Sequence, residues 1–286
     1  MKTSFMKTSF VAFLNKRGIA CASDTDMTLY ALSRQEPVAL AVNSYSPIPW
    51  DFIINSYLRK GEIQIHETFS DYARDFANYL STVETKPSWK YLSSDEQNII
   101  FLGYGSDDVF PSAVDIMVKY DEEAQKLICD FDIDRGIDHC NTADFFMLSH
   151  FENTQPVMYG ILESTRQKLI DKQDSLLNTF KERITDAVKG TEFEKAVQEV
   201  IAEYDSYSFE DVTREASGQQ MQRVDTAIDS FNIEDLVKVA EDFVDAKVQI
   251  DHLKNGGKGN LRYTKELAVI TRTEGVVWIK HCLYGI

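Results

Sequence analysis

Cysteine is scarce and scattered in this chain. The four residues Cys21, Cys129, Cys140 and Cys282 form no CxxC pair, and none joins histidines at a zinc-binding spacing. Nothing in that pattern requires an oxidising compartment, so the cytoplasm is the expected location. No metal and no cofactor are expected. Cys140 follows His139, but the carboxylates around them belong to a polar loop, which makes a poor catalytic dyad. Long apolar runs are missing too. No stretch approaches the ~20 residues that cross a bilayer. The run near the N-terminus ends at Leu14 and meets Lys16-Arg17, too short for a signal-peptide core. Positive charge is in deficit: 30 Lys and Arg against 46 Asp and Glu leave a net charge of -16. That balance argues against a nucleic-acid backbone or an anionic membrane as partner and fits a solvated acidic surface.

What is present is an ordinary globular composition, 43% hydrophobic and 27% charged over 286 residues. It predicts one large domain able to bury its own core, residues 1–286, with any extra segment as an insertion within it. The first ten residues repeat themselves, Met1-Lys2-Thr3-Ser4-Phe5 and then Met6-Lys7-Thr8-Ser9-Phe10. Met6 is therefore an alternative start.

The chain is organised around the stretch Thr8 to Asp24. Phe10 to Leu14 is apolar, Asn15 to Gly18 has turn chemistry, and Ile19 to Ala22 is apolar again. This predicts two short strands in a hairpin covered on both faces. Thr8 opens the first strand and Asp24 closes the second, so a hydroxyl and a carboxylate could meet across the pair. Cys21 reads as a small core residue of that hairpin. After Asp24 comes a short polar link, then a compact strand over Val38 to Val42.

Trp50, Ile53, Ile54, Tyr57 and Leu58 recur at helical spacing, and a second helix is expected from about Ser70 through Leu80. Strands resume at Asn98 to Tyr104, Val109 to Tyr120 and Leu127 to Ile133. Residues 134–156 read as a polar loop containing a short helical segment from Ala143 to Phe151. From about Val157 to Ser230 the pattern is helix after helix, with narrow apolar faces flanked by charge, and Gly190 breaks the run. Asn232 can cap a longer helix with Val237, Ala240, Val244 and Val248 on one face. Asp251 falls on that same face, where a carboxylate is costly unless partnered. Asn255-Gly256-Gly257 breaks the chain, and two closing strands follow, Leu267 to Thr271 and Val276 to His281. His281 reads as a strand-edge residue. No regular βαβ alternation appears, so a sheet packed on a sheet with helices outside is expected rather than a doubly wound parallel sheet.

The ordered series Thr8-Ser9-Phe10-Val11-Ala12-Phe13 and Gly18-Ile19-Ala20-Cys21-Ala22-Ser23-Asp24 resembles the start of a mature proteasome β-type subunit, a family of N-terminal-nucleophile (Ntn) hydrolases. Gly103-Tyr104-Gly105-Ser106, Asp251 through Gly256-Gly257, and Glu274 to Ile279 resemble later stretches of that family. Ile48-Pro49-Trp50 and Phe110-Pro111-Ser112 are similar to stretches of bacterial proteasome-like proteins. The resemblance spans about two-thirds of the chain, and residues 157–230 are longer than the family's helical segment. It implies an α+β fold, a four-layer αββα sandwich with an extended helical insertion or hairpin at 157–230. It also implies a homo-oligomer and a peptide or small amide substrate.

In such enzymes the Thr that begins the mature chain is the nucleophile and its α-amino group is the base. A hydroxyl needs such help, and an amine with a pKa near ~8 suits it. The resemblance places Thr8 at the nucleophile, Asp24 at the first acid, Asp251 near the second, Asn43 at the oxyanion-binding glycine and Asn255 at the Ser before Gly-Gly. Departures accompany these matches. The family's Lys should lie on a strand between Asp24 and Val38, yet that interval looks too short for a strand and offers only Arg34. Tyr104 replaces a Ser, and Lys7 precedes Thr8, where the family cuts after Gly. Two readings follow: a threonine-type peptidase or amidohydrolase acting once residues 1–7 are removed, or a catalytically degenerate relative kept for assembly or binding. The 157–230 helices could serve as a partner-docking arm in either.

Overall fold

Ten strands and six helices are described in the computed structural model, which describes residues 10–24, 27–32, 36–44, 46–59, 65–85, 97–148, 163–204, 209–254 and 265–281. The strands are β1 (Phe10–Asn15), β2 (Gly18–Ser23), β3 (Met27–Ala31), β4 (Val38–Asn43), β5 (Gln97–Gly103), β6 (Ser112–Asp121), β7 (Lys126–Gly136), β8 (Ala143–Leu148), β9 (Glu266–Thr271) and β10 (Gly275–Lys280). The helices are α1 (Trp50–Arg59), α2 (Phe69–Leu80), α3 (Glu163–Val188), α4 (Glu194–Tyr204), α5 (Phe209–Ser230) and α6 (Ile233–Lys254).

Two five-stranded antiparallel sheets result, ordered β10-β9-β2-β1-β8 and β3-β4-β5-β6-β7. The protein is thus α+β, with two sheets arranged compatibly with a sandwich. The hairpin of β1 and β2 sits inside the first sheet, with Phe10 opposite Ser23 and Asn15 opposite Gly18. All twelve of its strand residues are buried, as expected for strands covered on both faces. Alternation explains how. Phe10, Ala12, Leu14, Ile19 and Cys21 share a core with Leu29, Ala39, Ala41, Ile100 and Leu102 of the other sheet. On the opposite face, Phe13 meets the ring of Phe243 in α6, with centroids 5.4 Å apart. The outer face of the second sheet works the same way: Leu40, Val42, Ile99 and Phe101 pack with Ile53, Ile54, Tyr72 and Phe76 of α1 and α2.

Side chains fix the joints. Asn15 Nδ2 donates to Ile228 O at 2.8 Å and Phe231 O at 3.0 Å, so the hairpin turn satisfies the end of α5. Asn232 caps α6 as expected: its Oδ1 accepts the Asp235 N–H at 2.8 Å, while Asp235 Oδ2 accepts the Asn232 N–H at 3.3 Å.

Three expectations need correcting. The interval after Asp24 is not merely a polar link, because Met27–Ala31 forms β3; Met27 and Leu29 are buried while Thr28 and Tyr30 are less so. Ala143–Leu148 is a strand, β8, pairing with β1, and not a helix. The second helix begins at Phe69 rather than Ser70, and its first N–H is taken by Asp108 Oδ2 at 2.8 Å.

The chain divides into two compact units, Met1–Phe151 with Asp225–Ile286, and Glu152–Val224. Both sheets and α1, α2 and α6 belong to the first. In the second, α3 and α4 enclose a groove of about 510 Å³ lined by Phe180, Ile184, Phe193 and Val200 among others.

Candidate active site

The end of the hairpin that precedes Phe10 is where polar groups enter an otherwise apolar core. Asp24 follows β2 directly and is only 5% exposed. Its Oδ2 lies 3.1 Å from Nζ of Lys247, itself 5% exposed. The backbone around Asp24 is held by a turn. Its carbonyl accepts the Met27 N–H at 3.3 Å, and the Ser23 hydroxyl donates to Met27 O at 3.3 Å.

Lys247 comes from α6, whose buried stripe runs Leu236, Ala240, Val244, Lys247 at helical spacing. Val237 and Val248, expected on that stripe, are only half-buried. The lysine therefore occupies a core position, and a buried ammonium is tolerable there because a carboxylate meets it. The helix thus brings a cation to Asp24 from 223 positions further along the chain.

A second carboxylate is buried close by along the sheet. Glu266 opens β9 opposite Ser23 and is 3% exposed. Its Oε2 accepts the Leu29 N–H at 2.6 Å, tying β9 to β3 of the other sheet. Its Oε1 lies 3.1 Å from His281 Nδ1. Burial raises its carboxyl above the ordinary glutamate value, and the Leu29 N–H and His281 only partly oppose this. His281 is indeed at the edge of the sheet, stacked on Trp278 with centroids 4.2 Å apart.

Asn43 ends β4 opposite Met27 of β3. It lines a cavity of mixed polar and apolar character with Thr28 and Tyr30 of β3 and Asp51 of α1. Tyr104 is buried, and burial pushes its hydroxyl up to about 12, so it is a core phenol rather than a proton-transfer group at neutral pH. Thr8, Asn255 and Arg34 lie outside the described residues. Asp251 belongs to α6, four residues beyond Lys247, and its side chain is likewise outside the described set. The structure therefore brings Asp24 to a buried ion pair and Asn43 to a cavity wall.

Sequence reading missed Lys247, Glu266 and Asp51. Lys247 had a signal, a charged residue at the 3–4 spacing of an apolar stripe. Glu266 had none, because it sits at a strand start where charge is common. Among the described residues no group of three or more His, Cys, Asp or Glu side chains could hold a metal ion.

No family model and no curated protein matches this sequence. Solved structures similar to it include a selenomethionine-labelled Anbu (Gly-1) mutant from Hyphomicrobium sp. strain MC1, with 17% identity and a TM-score of 0.27, covering 49% of this chain and 60% of that one. Another is Anbu (ancestral beta-subunit) from Yersinia bercovieri, with 10% identity and a TM-score of 0.40, covering 96% of this chain and 88% of that one. The likeness is distant.

Proposed function

We propose that this protein is an amide or peptide hydrolase of the N-terminal-nucleophile type, with Thr8 as nucleophile once residues 1–7 are removed. The observation that carries this reading is the buried Asp24–Lys247 ion pair beside the entry to β1. A buried pair rarely repays its desolvation relative to apolar side chains, so one set at a sheet end points to chemistry rather than to stability.

In this reading the Thr8 hydroxyl attacks a substrate carbonyl while the free α-amino group of Thr8 takes its proton. The positive end of Lys247, oriented by Asp24, favours the oxygen anion developing at Thr8. The backbone N–H at Asn43 donates to the tetrahedral oxyanion, since an oxyanion donor needs only a backbone N–H. The α-amino group passes its proton to the leaving amine, then activates the water that frees Thr8. The resemblance adds Asp251 and Asn255 to the same set of site residues. The fold class proposed with this chemistry is the four-layer αββα sandwich of Ntn hydrolases, a single domain over 1–286 with an inserted helical segment at 157–230. A cytoplasmic homo-oligomer belongs to the same proposal.

A second reading, a degenerate relative serving assembly or binding, is favoured by Lys7 ahead of Thr8 and by Asn43 in place of glycine. An amide nitrogen is not a base, so the two readings part at the N-terminus. Intact-mass analysis of the native protein decides between them. The hydrolase reading expects a chain beginning at Thr8, and a retained Met6 or Lys7 would exclude it.

A further inference from the structure

The cavity beside Asn43 has chemistry of its own. It measures about 340 Å³, and its polar lining includes Thr28, Tyr30, Asn43, Ser44, Ser46 and Asp51. Hydrogen bonds tie its lining together. Thr28 and Ser44 join hydroxyls at 2.6 Å, and Ser46 Oγ accepts the Ile48 N–H at 3.1 Å. The Tyr30 hydroxyl donates to Asp51 Oδ1, which aligns the carboxylate across the gap between β3 and α1.

Two facts give the cavity a sign. Asp51 is exposed, and among the described residues no lysine, arginine or histidine lines the cavity beside it. No salt bridge to Asp51 forms among the described residues, in a chain of net charge -16. The remaining wall, with Val42, Ile48 and Trp50, is apolar. An apolar wall leading to a carboxylate and several hydroxyl acceptors suits a side chain with a methylene stem and a cationic head. An anionic group would meet Asp51 and be repelled. A purely aliphatic group would cover the Asp51 carboxylate without bringing a cation to offset it.

Resting on the hydrolase reading only for the idea that its ligand is a substrate, we propose that this cavity is a subsite for a positively charged side chain, with Asp51 as its specificity-determining residue. The substrate class is then an amide or peptide bearing an ammonium or guanidinium group. Asn43 carries the link to the reaction, since it borders this cavity and holds the position assigned to the oxyanion donor.

The test uses the full chain and needs no turnover. Nα-acetyl-arginine amide is titrated while the backbone amide resonances of Tyr30, Asn43 and Asp51 are followed by NMR, with the norleucine and glutamate counterparts run in parallel. Saturable shifts are expected with the arginine compound alone. Asp51→Asn should weaken its binding about tenfold, as loss of a charge-assisted hydrogen bond does, and Asp51→Glu should restore part of it. Thr8→Ala should bind as the parent does, so an error about the nucleophile would leave this result standing. Absence of a shift, equal shifts with norleucine or glutamate, or undiminished binding by a folded Asp51→Asn variant would each overturn the assignment. The comparison of the three compounds needs no variant and holds even if Asp51→Asn fails to fold.

Discussion

Replacing Lys247 by methionine keeps the length of the side chain and removes its charge. In the native protein both members of the pair are almost fully buried, and Nζ lies 3.1 Å from the Asp24 carboxylate. The substitution leaves a carboxylate in a low-dielectric setting without the cation that offsets it. Breaking a buried pair from one side costs about 3–5 kcal/mol, because the remaining charge stays desolvated. Against a typical total stability of about 5–15 kcal/mol, that is a large fraction. It corresponds to roughly two to four powers of ten in the folding equilibrium.

The double variant Asp24→Asn with Lys247→Met removes both charges and should recover most of the loss, since an uncharged pair of similar volume avoids the desolvation cost. Urea denaturation followed by far-UV circular dichroism and tryptophan fluorescence measures all four proteins of the cycle. A Lys247→Met cost below about 1 kcal/mol would refute the reasoning. So would a double variant whose cost is the sum of the single ones, for then the two charges do not sense each other.

Other charged groups and one glycine make further outcomes measurable. Hydrogen bonds from Lys265 and Lys280 hold the Glu241 carboxyl down to about 2, well below the ordinary glutamate value. Its ionised form therefore favours the folded state above the ordinary value, and that contribution disappears as pH falls from about 4.5 to about 2; Glu241→Gln should flatten this part of the acid limb in urea midpoints measured across it. Glu266 is shifted the opposite way, so its ionisation opposes folding, and the burden lifts as pH falls through its raised value. Glu266→Gln should then be more stable than the parent at pH 8, with the gap closing toward pH 4, and a gap that widens on acidification would contradict this. Gly103 has φ +149°, and a Cβ there would stand 2.1 Å from Pro37 O, a backbone atom that cannot step aside. Gly103→Ala should lower stability by about 2 kcal/mol or more in thermal or urea melts.

Much of the first unit was legible in the residues, for a definite reason. Apolar strands buried on both faces leave continuous runs such as Phe10 to Leu14 and Val38 to Val42, and turn residues punctuate them. Edge strands were harder to see. β3 lies at the border of its sheet, and its Thr28 and Tyr30 face a cavity, so only the alternation Met27, Leu29 marks it. β8 borders the other sheet, and Ala143-Asp144-Phe145-Phe146-Met147-Leu148 has no β-branched residue to set it apart from a helix. At the candidate site, Asp24 was legible because it ends a buried strand. Its contact with Lys247 was not, because a meeting of residues 223 positions apart is a property of the tertiary fold. Reading its helix stripe as 237, 240, 244 and 248 rather than 236, 240, 244 and 247 turned the register by one residue and hid the lysine.

The placement of the opening hairpin also bears on how the chain matures. β2 is hydrogen-bonded to β9, and Asp24 meets Lys247, so both closures wait for segments that leave the ribosome last. A nascent chain lacking its final third carries an unzipped strand margin beside an Asp24 that has yet to meet Lys247. Truncated translation products would therefore lack both the completed sheet and the buried ion pair, through chain order alone.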